Sequence, residues 1–343
     1  MTGIRIAVTA PPSSGHSGVA DYARLLGEEL ERCGFAVGAP GSHELAILNF
    51  TPYGAGVHLG WLRAVREAHS LSRGGQPLIT VFHEVFVLPD RRLRMRGFGL
   101  LQTWAHRRLV RASSAVVVSD DARAGALAAL VPGAPPATVV AVGPNVPVPC
   151  EAVQRPGEPL VATFGLPHPL RDLETLVRAA ALVSAELPAV RFVFLGDPSG
   201  DPAAAAHIRD LALALGSPVE LTGALPAAEV AARLAATRVF VSTYTETLSL
   251  GSGGLAGALG HGAVVVAYDS ARLSPPLLAG KHLLVAPRDP DGLARTIVEA
   301  LAADADGVGA AGRSLYEEAA SWKAIAACFT SLIEDALRRR PTA

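Results

Sequence analysis

The stretch "RVFVSTYTETLSLGSGGLAGALGHGAVVVAYD", residues 238–269, runs from an apolar segment through a polar, glycine-dense loop into a helix-length run of small residues, then into a second apolar segment. Short runs rich in valine, separated by one helix, are the pattern of parallel strands with a crossover. Strands are therefore expected at 238–244 and 263–269, a loop at 245–251 and a helix at 252–261. Glycines 251, 253, 254 and 257 lie where the loop becomes the helix. Backbone N–H groups and the helix dipole at such a place suit a diphosphate. The competing reading is that small residues merely let a helix lie close on a sheet.

The same alternation extends in both directions. In the second half, 160–165, 191–197, 219–223 and 282–287 are further strand candidates; in the first half, 4–10, 45–50, 78–84 and 115–119 are. "PVPCEAVQRPGEP" (147–159) interrupts the pattern with four prolines and no period. The expected fold is α/β, with two facing Rossmann-like domains at 1–147 and 159–315, a linker at 148–158 and a carboxyl-terminal helical strut at 316–343. Tyr316, Trp322, Ile325, Phe329 and Ile333 fall near helical spacing in that strut, which is expected to pack back toward the amino-terminal domain. Ligands of doubly wound sheets sit beyond the carboxyl ends of the strands, so the site is expected in the cleft between the domains.

Composition narrows the function classes. The 343 residues are 50% hydrophobic and 18% charged, with a net charge of −1, which gives no general attraction to nucleic acid. Cys33, Cys150 and Cys328 show no CxxC spacing, so neither a zinc site nor a disulfide framework is expected. No apolar run approaches the length of a membrane span. A cytoplasmic protein is expected, and the preference for arginine over lysine points to a bacterial source.

A second glycine loop follows the first strand in "PPSSGHSGVADYARLLGEEL" (11–30), where Gly15 and Gly18 precede an amphipathic helix from Val19 to Leu30. It is not GxGxxG, and a dinucleotide fingerprint is disfavoured. Asp289-Pro290-Asp291 and Asp304-Ala305-Asp306 match a metal-binding DxD pattern, but each falls at an expected helix start or surface turn, and no metal site is expected.

"FGLPHPLRDLETLVRAAALV" (164–183), "VRFVFLGD" (190–197), "VELTGALPAAEVAARLAATRVFVST" (219–243) and "LLVAPRDPDGLARTI" (283–297) together resemble, in order and spacing, the retaining GT-B nucleotide-sugar glycosyltransferases of the group 1 type. The resemblance implies transfer of a sugar from a nucleotide-sugar donor to an acceptor hydroxyl, with retention of configuration and no metal or cofactor. It places the donor in the carboxyl-terminal domain and the acceptor in the amino-terminal one. Arg171 stands where the family has a lysine that holds the donor diphosphate. Two departures matter: Leu166 replaces a second phosphate-binding arginine, and the Glu-x7-Glu signature is broken, with Gly254 at the second position when counted from Glu246.

On that resemblance the donor site comprises Gly165, His168, Arg171, Gly196, Glu246, Ser249, Leu250, Gly251, Ser252 and Gly253. The acceptor site comprises Gly15, His16, Gly18, Asp21, Asn49, Tyr53, His83 and Glu84. His83, Arg171 and Glu246 are the catalytic candidates. Alternatives are an inverting transferase with His16 as base, oriented by Asp21, a sugar-nucleotide epimerase, and a non-catalytic partner subunit. Finally, "RRLRMRGFGLLQTWAHRRLVR" (91–111) holds seven arginines and no acid. It fits contact with an anionic membrane or acceptor, but an ordinary solvated helix is the favoured reading.

Overall fold

A computed structural model describes residues 3–10, 17–51, 60–85, 93–150, 155, 157–165, 170–196 and 201–339. The chain divides into two compact units, Met1–Val142 with Trp322–Ala343, and Gly143–Ser321.

The first unit is built on β1 (Arg5–Thr9), β2 (Ala36–Gly38), β3 (Leu45–Phe50), β4 (Leu78–Phe82), β5 (Ala115–Val118) and β6 (Thr138–Val139), in the order β2-β1-β3-β4-β5-β6 and parallel throughout. Every residue of β3 and β4 is buried, which explains their continuous apolar runs: a parallel sheet covered on both faces has no polar side to alternate with. On one face Phe50, Phe82 and Trp61 pack with Leu109. On the other, Ile6, Ile47 and Ile79 meet Leu26 and Leu30 of α1 (Gly18–Arg32). The remaining helices of this unit's main segment are α2 (Gly60–Leu71), α3 (Leu93–Ala112) and α4 (Asp121–Leu130).

The second unit holds β7 (Leu160–Phe164), α5 (Leu173–Glu186), β8 (Arg191–Leu195), α6 (Pro202–Leu215), β9 (Val219–Leu221), α7 (Ala227–Ala236) and β10 (Thr237–Ser242), then β11 (Thr247–Leu248) and α8 (Gly253–Gly260). It continues through β12 (Val264–Tyr268), β13 (Arg272–Leu273), β14 (Leu284–Ala286), α9 (Pro290–Leu301) and α10 (Asp306–Leu315). Its six-stranded parallel sheet runs β14-β12-β10-β7-β8-β9, and β11 pairs with β13 in a small separate ladder. β2, β6, β11 and β13 are two or three residues long, too short to carry a readable period. The strands expected at 238–244 and 263–269 stop at Ser242 and Tyr268, so Thr243 and Tyr244 belong to the loop at the strand tip.

The proline-rich stretch joins the second unit before its last residues are reached. Pro144, Val146 and Val148 lie against α8, where a Cβ on Gly257 would stand 3.6 Å from Val146 and one on Gly260 would stand 2.9 Å from Val148. Arg313 ties the stretch down, donating to the carbonyls of Gly260 (2.7 Å), Pro149 (2.9 Å) and Cys150 (2.9 Å).

The tail is not one continuous strut. A π-helical turn at Tyr316–Ala320 stays with the second unit, Ser321 is extended, and α11 (Trp322–Arg338) begins anew in the first. Ile325, Phe329 and Ile333 of α11 are fully buried among α1 and the sheet. At about 1.5–3 kcal/mol for each such side chain, that burial holds the tail to the first unit.

Candidate active site

In the second unit the chain adds strands from β7 through β8 to β9, then crosses to the opposite side of β7 for β10, β12 and β14. The order therefore reverses between β7 and β10, and in open parallel sheets ligands gather beyond the strand tips at such a reversal. Arg171 lies there. It is 9% exposed, its Nε donates to Thr243 Oγ1 (2.9 Å) at the tip of β10, and an Nη donates to Thr163 Oγ1 (2.8 Å) on β7. The guanidinium also sits 5.5 Å from the centre of the Tyr244 ring. Burial lowers its pKa while Tyr244 and Tyr268 raise it, and an arginine starts high enough to stay charged.

Two glycines make room for this arrangement. Gly165 has φ +122°, and a Cβ there would come within 2.8 Å of an Arg171 Nη. Gly196 has φ +150°, and its Cβ would meet the Gly165 carbonyl at 2.7 Å. Neither position accepts a side chain without moving backbone or the guanidinium. Asp172 then fixes the arginine from behind: its N–H donates to Thr243 O (2.8 Å), its carbonyl accepts from the Tyr268 hydroxyl (2.9 Å), and its carboxylate pairs with Arg288 (2.7 Å). Burial pushes that carboxyl up, but the Thr175 backbone N–H and Arg288 outweigh it, and the pKa ends below the usual carboxylate range. Thr163, Thr243, Asp172, Tyr268 and Arg288 carried no sequence signal, because nothing but the tertiary fold brings residues from four segments around one guanidinium.

The glycine loop divides in two. Ser249 Oγ accepts from the Gly251 N–H (3.2 Å), and Ser252 caps α8 by accepting from the Leu255 N–H (3.3 Å). Gly251 and Gly253 are part-exposed, Leu250 is a core residue, and Glu246 is exposed. Neither Gly251 nor Gly253 has a left-handed φ, so backbone strain does not require a glycine at those two positions. Gly254, Gly257 and Gly260 pack instead: a Cβ on Gly254 would stand 3.4 Å from the Phe164 ring, and one on Gly260 would stand 3.0 Å from Tyr316. The packing reading of the loop thus accounts for Gly254, Gly257 and Gly260. Beside Arg171, a small, partly open pocket lies at the tips of β7, β8 and β9, lined by Thr163, Gly165, Phe194, Gly196, Ile208 and Leu221.

In the first unit the strand order reverses between β1 and β3. Asn49 spans that junction, its Nδ2 donating to Thr9 O (2.9 Å), and its Oδ1 lies 2.9 Å from His83 Nε2. Since the amide nitrogen is committed to Thr9, the oxygen must accept, so His83 carries its proton on Nε2, and among the described residues its Nδ1 has no hydrogen-bond partner. The His83 ring stands edge-on to Tyr22 at 4.8 Å. Burial, with a smaller contribution from the Arg123 charge, pushes its pKa down to about 4, so it is neutral at pH 7. Glu84 accepts from the Thr51 hydroxyl (3.1 Å).

Gly18 is the first residue of α1, and Asp21 in the first turn is 3.8 Å from Arg24 in an exposed pair. Gly15, His16, Tyr53 and His168 lie outside the described residues. Of the DxD candidates, Asp289 caps α9 by accepting from the Gly292 N–H (2.7 Å), and Asp306 pairs with Arg238 (2.9 Å). Among the described residues no helix is long and apolar enough to cross a membrane.

Residues 158–303, the sheet and helices around Arg171, match the family model described as Glycosyl transferases group 1. This part of the chain is similar to the group 1 glycosyltransferases. The whole chain has the GT-B fold. It is similar to Anabaena HepE, solved in complex with UDP and glucose, at 14% identity and a TM-score of 0.65, covering 97% of this chain and 100% of HepE. It is similar to sucrose-phosphate synthase from Thermosynechococcus elongatus at 16% identity and a TM-score of 0.66, covering 98% and 100%. A glycosyltransferase from Rickettsia africae aligns at 13% identity and a TM-score of 0.65, covering 98% and 99%. No curated protein matches by sequence. The protein is a glycosyltransferase, and at these identities the solved structures speak for its fold.

Proposed function

We propose that this glycosyltransferase takes its sugar from a nucleoside-diphosphate donor bound at the β7/β10 tips of the second unit, and passes it to an acceptor hydroxyl met by the first. The observation that carries the reading is the buried Arg171 guanidinium, pinned by Thr163 and Thr243 where the strand order reverses. The UDP and glucose of the HepE complex support the same donor class. Arg171 and the N–H groups at Gly251 to Gly253 would stabilise the diphosphate as the bond from sugar C1 to phosphate oxygen breaks; no metal is required for that charge. The acceptor oxygen bonds to C1 on the same face, and its proton passes to the departing diphosphate. That path retains the anomeric configuration.

His83 is the group at the first unit's reversal suited to a neutral acceptor. With Nε2–H given to Asn49, its Nδ1 accepts a hydrogen bond from a hydroxyl and orients it, and a pKa near 4 makes it a poor general base. Product analysis by NMR with a panel of UDP-sugars and simple glycoside acceptors, with and without EDTA, tests the reading. Retained configuration and activity in EDTA are expected. Inverted product would reassign the base, and turnover of the sugar nucleotide without acceptor would favour an epimerase.

A further inference from the structure

Helix α3 buries one side and carries large apolar residues on the other. Gln102, Ala105, His106, Leu109 and Val110 are buried and, at helical spacing, form one continuous face. The opposite face carries Leu100 (73% exposed), Leu101 (46%) and Trp104 (38%), followed by exposed Arg107, Arg108 and Arg111. An ordinary solvated helix turns its leucines inward and its charges outward. Here the inward face is already filled, so packing on that face does not explain the exposed Leu100 and Leu101.

The charge around them is one-sided. Residues 91–111 hold seven arginines and no Asp or Glu in a chain of net charge −1. Among the described residues no carboxylate pairs with Arg107, Arg108 or Arg111. Two of these side chains are held in place beside the apolar stripe: Arg107 Nε donates to Leu130 O (3.0 Å), and the Arg108 guanidinium lies 5.7 Å from the centre of the Trp104 ring. Trp104 is itself edge-on to buried Trp61 at 6.5 Å, which limits its freedom to fold away.

We propose that this face of α3 docks on an anionic lipid bilayer, with Leu100, Leu101 and Trp104 entering the headgroup region and Arg108 and Arg111 meeting lipid phosphates. Charge complementarity selects the bilayer. A second copy docking face to face would set one arginine cluster against another, whereas a leucine–tryptophan stripe edged by arginines matches an interface that is apolar below and negatively charged above. Attachment by one such face is reversible and salt-sensitive.

The full chain should co-sediment at low salt with phosphatidylcholine vesicles containing phosphatidylglycerol, not with phosphatidylcholine alone, and should be released by high salt. Arg108→Gln with Arg111→Gln should lower the partition coefficient about fivefold for each arginine. Leu100→Ser with Leu101→Ser should lower it further, with melting temperature checked for each variant. Wild-type tryptophan fluorescence should be quenched by brominated anionic lipid, a readout that needs no variant to fold. Equal binding to both vesicle types, binding to neither, variants that partition like wild type, or an absence of quenching would each overturn the proposal. So would a concentration-dependent dimer dissolved by Leu100→Ser, which would give the face to a second copy.

Discussion

The two sheets of this protein reverse their strand order in the same way and bridge the reversal with opposite electrostatics. In the first unit Asn49 joins the tips of β1 and β3, and His83 completes a neutral set. In the second Arg171 joins the tips of β7 and β10 through two threonines and brings a buried positive charge. A single architectural device thus presents an uncharged hydrogen-bonding surface in one half and an anion-stabilising one in the other. The difference teaches that the electrostatic contrast between the two junctions resides in the side chains that bridge them and not in the topology. On the proposed function, the second unit would manage without the usual second arginine and second glutamate because the one guanidinium is buried and rigidly held, which makes each of its interactions stronger than on an open surface.

The sharpest test separates the two groups of glycines beside that charge. Gly251→Val should abolish UDP binding by calorimetry and leave the melting temperature unchanged. Gly260→Val should do the reverse, since its side chain would strike Val148 and Tyr316 and overpacking of this kind costs about 1–3 kcal/mol. A Gly251→Val protein that binds UDP like wild type would remove the loop from the donor site.

Acid should next distinguish the neutral junction from the charged one. The folded pKa of His83 is about 4, against about 6.5 for an unfolded histidine. Between those values the unfolded chain binds more protons, so the contribution is fully present above pH 6.5 and is lost as pH falls toward 4, by roughly 3 kcal/mol at most. Burial lowers His106, His261 and His282 as well, in the same direction. Urea unfolding from pH 7.5 to pH 4.5 should show this slope, and His83→Gln should flatten it. An unchanged slope would show that His83 is not held neutral.

Smaller effects grade the donor junction itself. Arg171→Ala should weaken UDP binding by about 1.5–3 kcal/mol, the range for a hydrogen bond to a charged group, whereas Asn49→Ala should leave UDP affinity alone and lower kcat/KM for the acceptor. If Asn49→Ala weakens UDP as much as Arg171→Ala does, the contrast between the halves fails. Ser249→Ala removes one hydroxyl that accepts from Gly251 and should cost only about 0.5–1.5 kcal/mol of affinity.

Much of the second unit was legible in the chain. Its strands are valine-rich runs at regular spacing, and Gly165, Arg171 and Gly196 stand at positions that the family resemblance marks. The first unit's site was harder to read. His83 follows a clear strand, but the bond that sets its tautomer comes from Asn49, which is 34 residues away. The proline-rich stretch shows a related effect. Prolines announce irregular chain, yet an irregular segment packs as firmly as a helix when Val146 and Val148 have a glycine face to lie on.

By itself the sequence determined the α/β class, the parallel sheets and the place of the glycine loop, because strand and helix periods and glycine's missing side chain are local properties. Tertiary structure alone decided which glycines of α8 pack against their neighbours, where Arg171 finds its threonines, and which face of α3 meets solvent. Those outcomes depend on contacts between residues far apart in the chain. No local period encodes them, since burial and hydrogen-bond partners exist only once the sheets have formed.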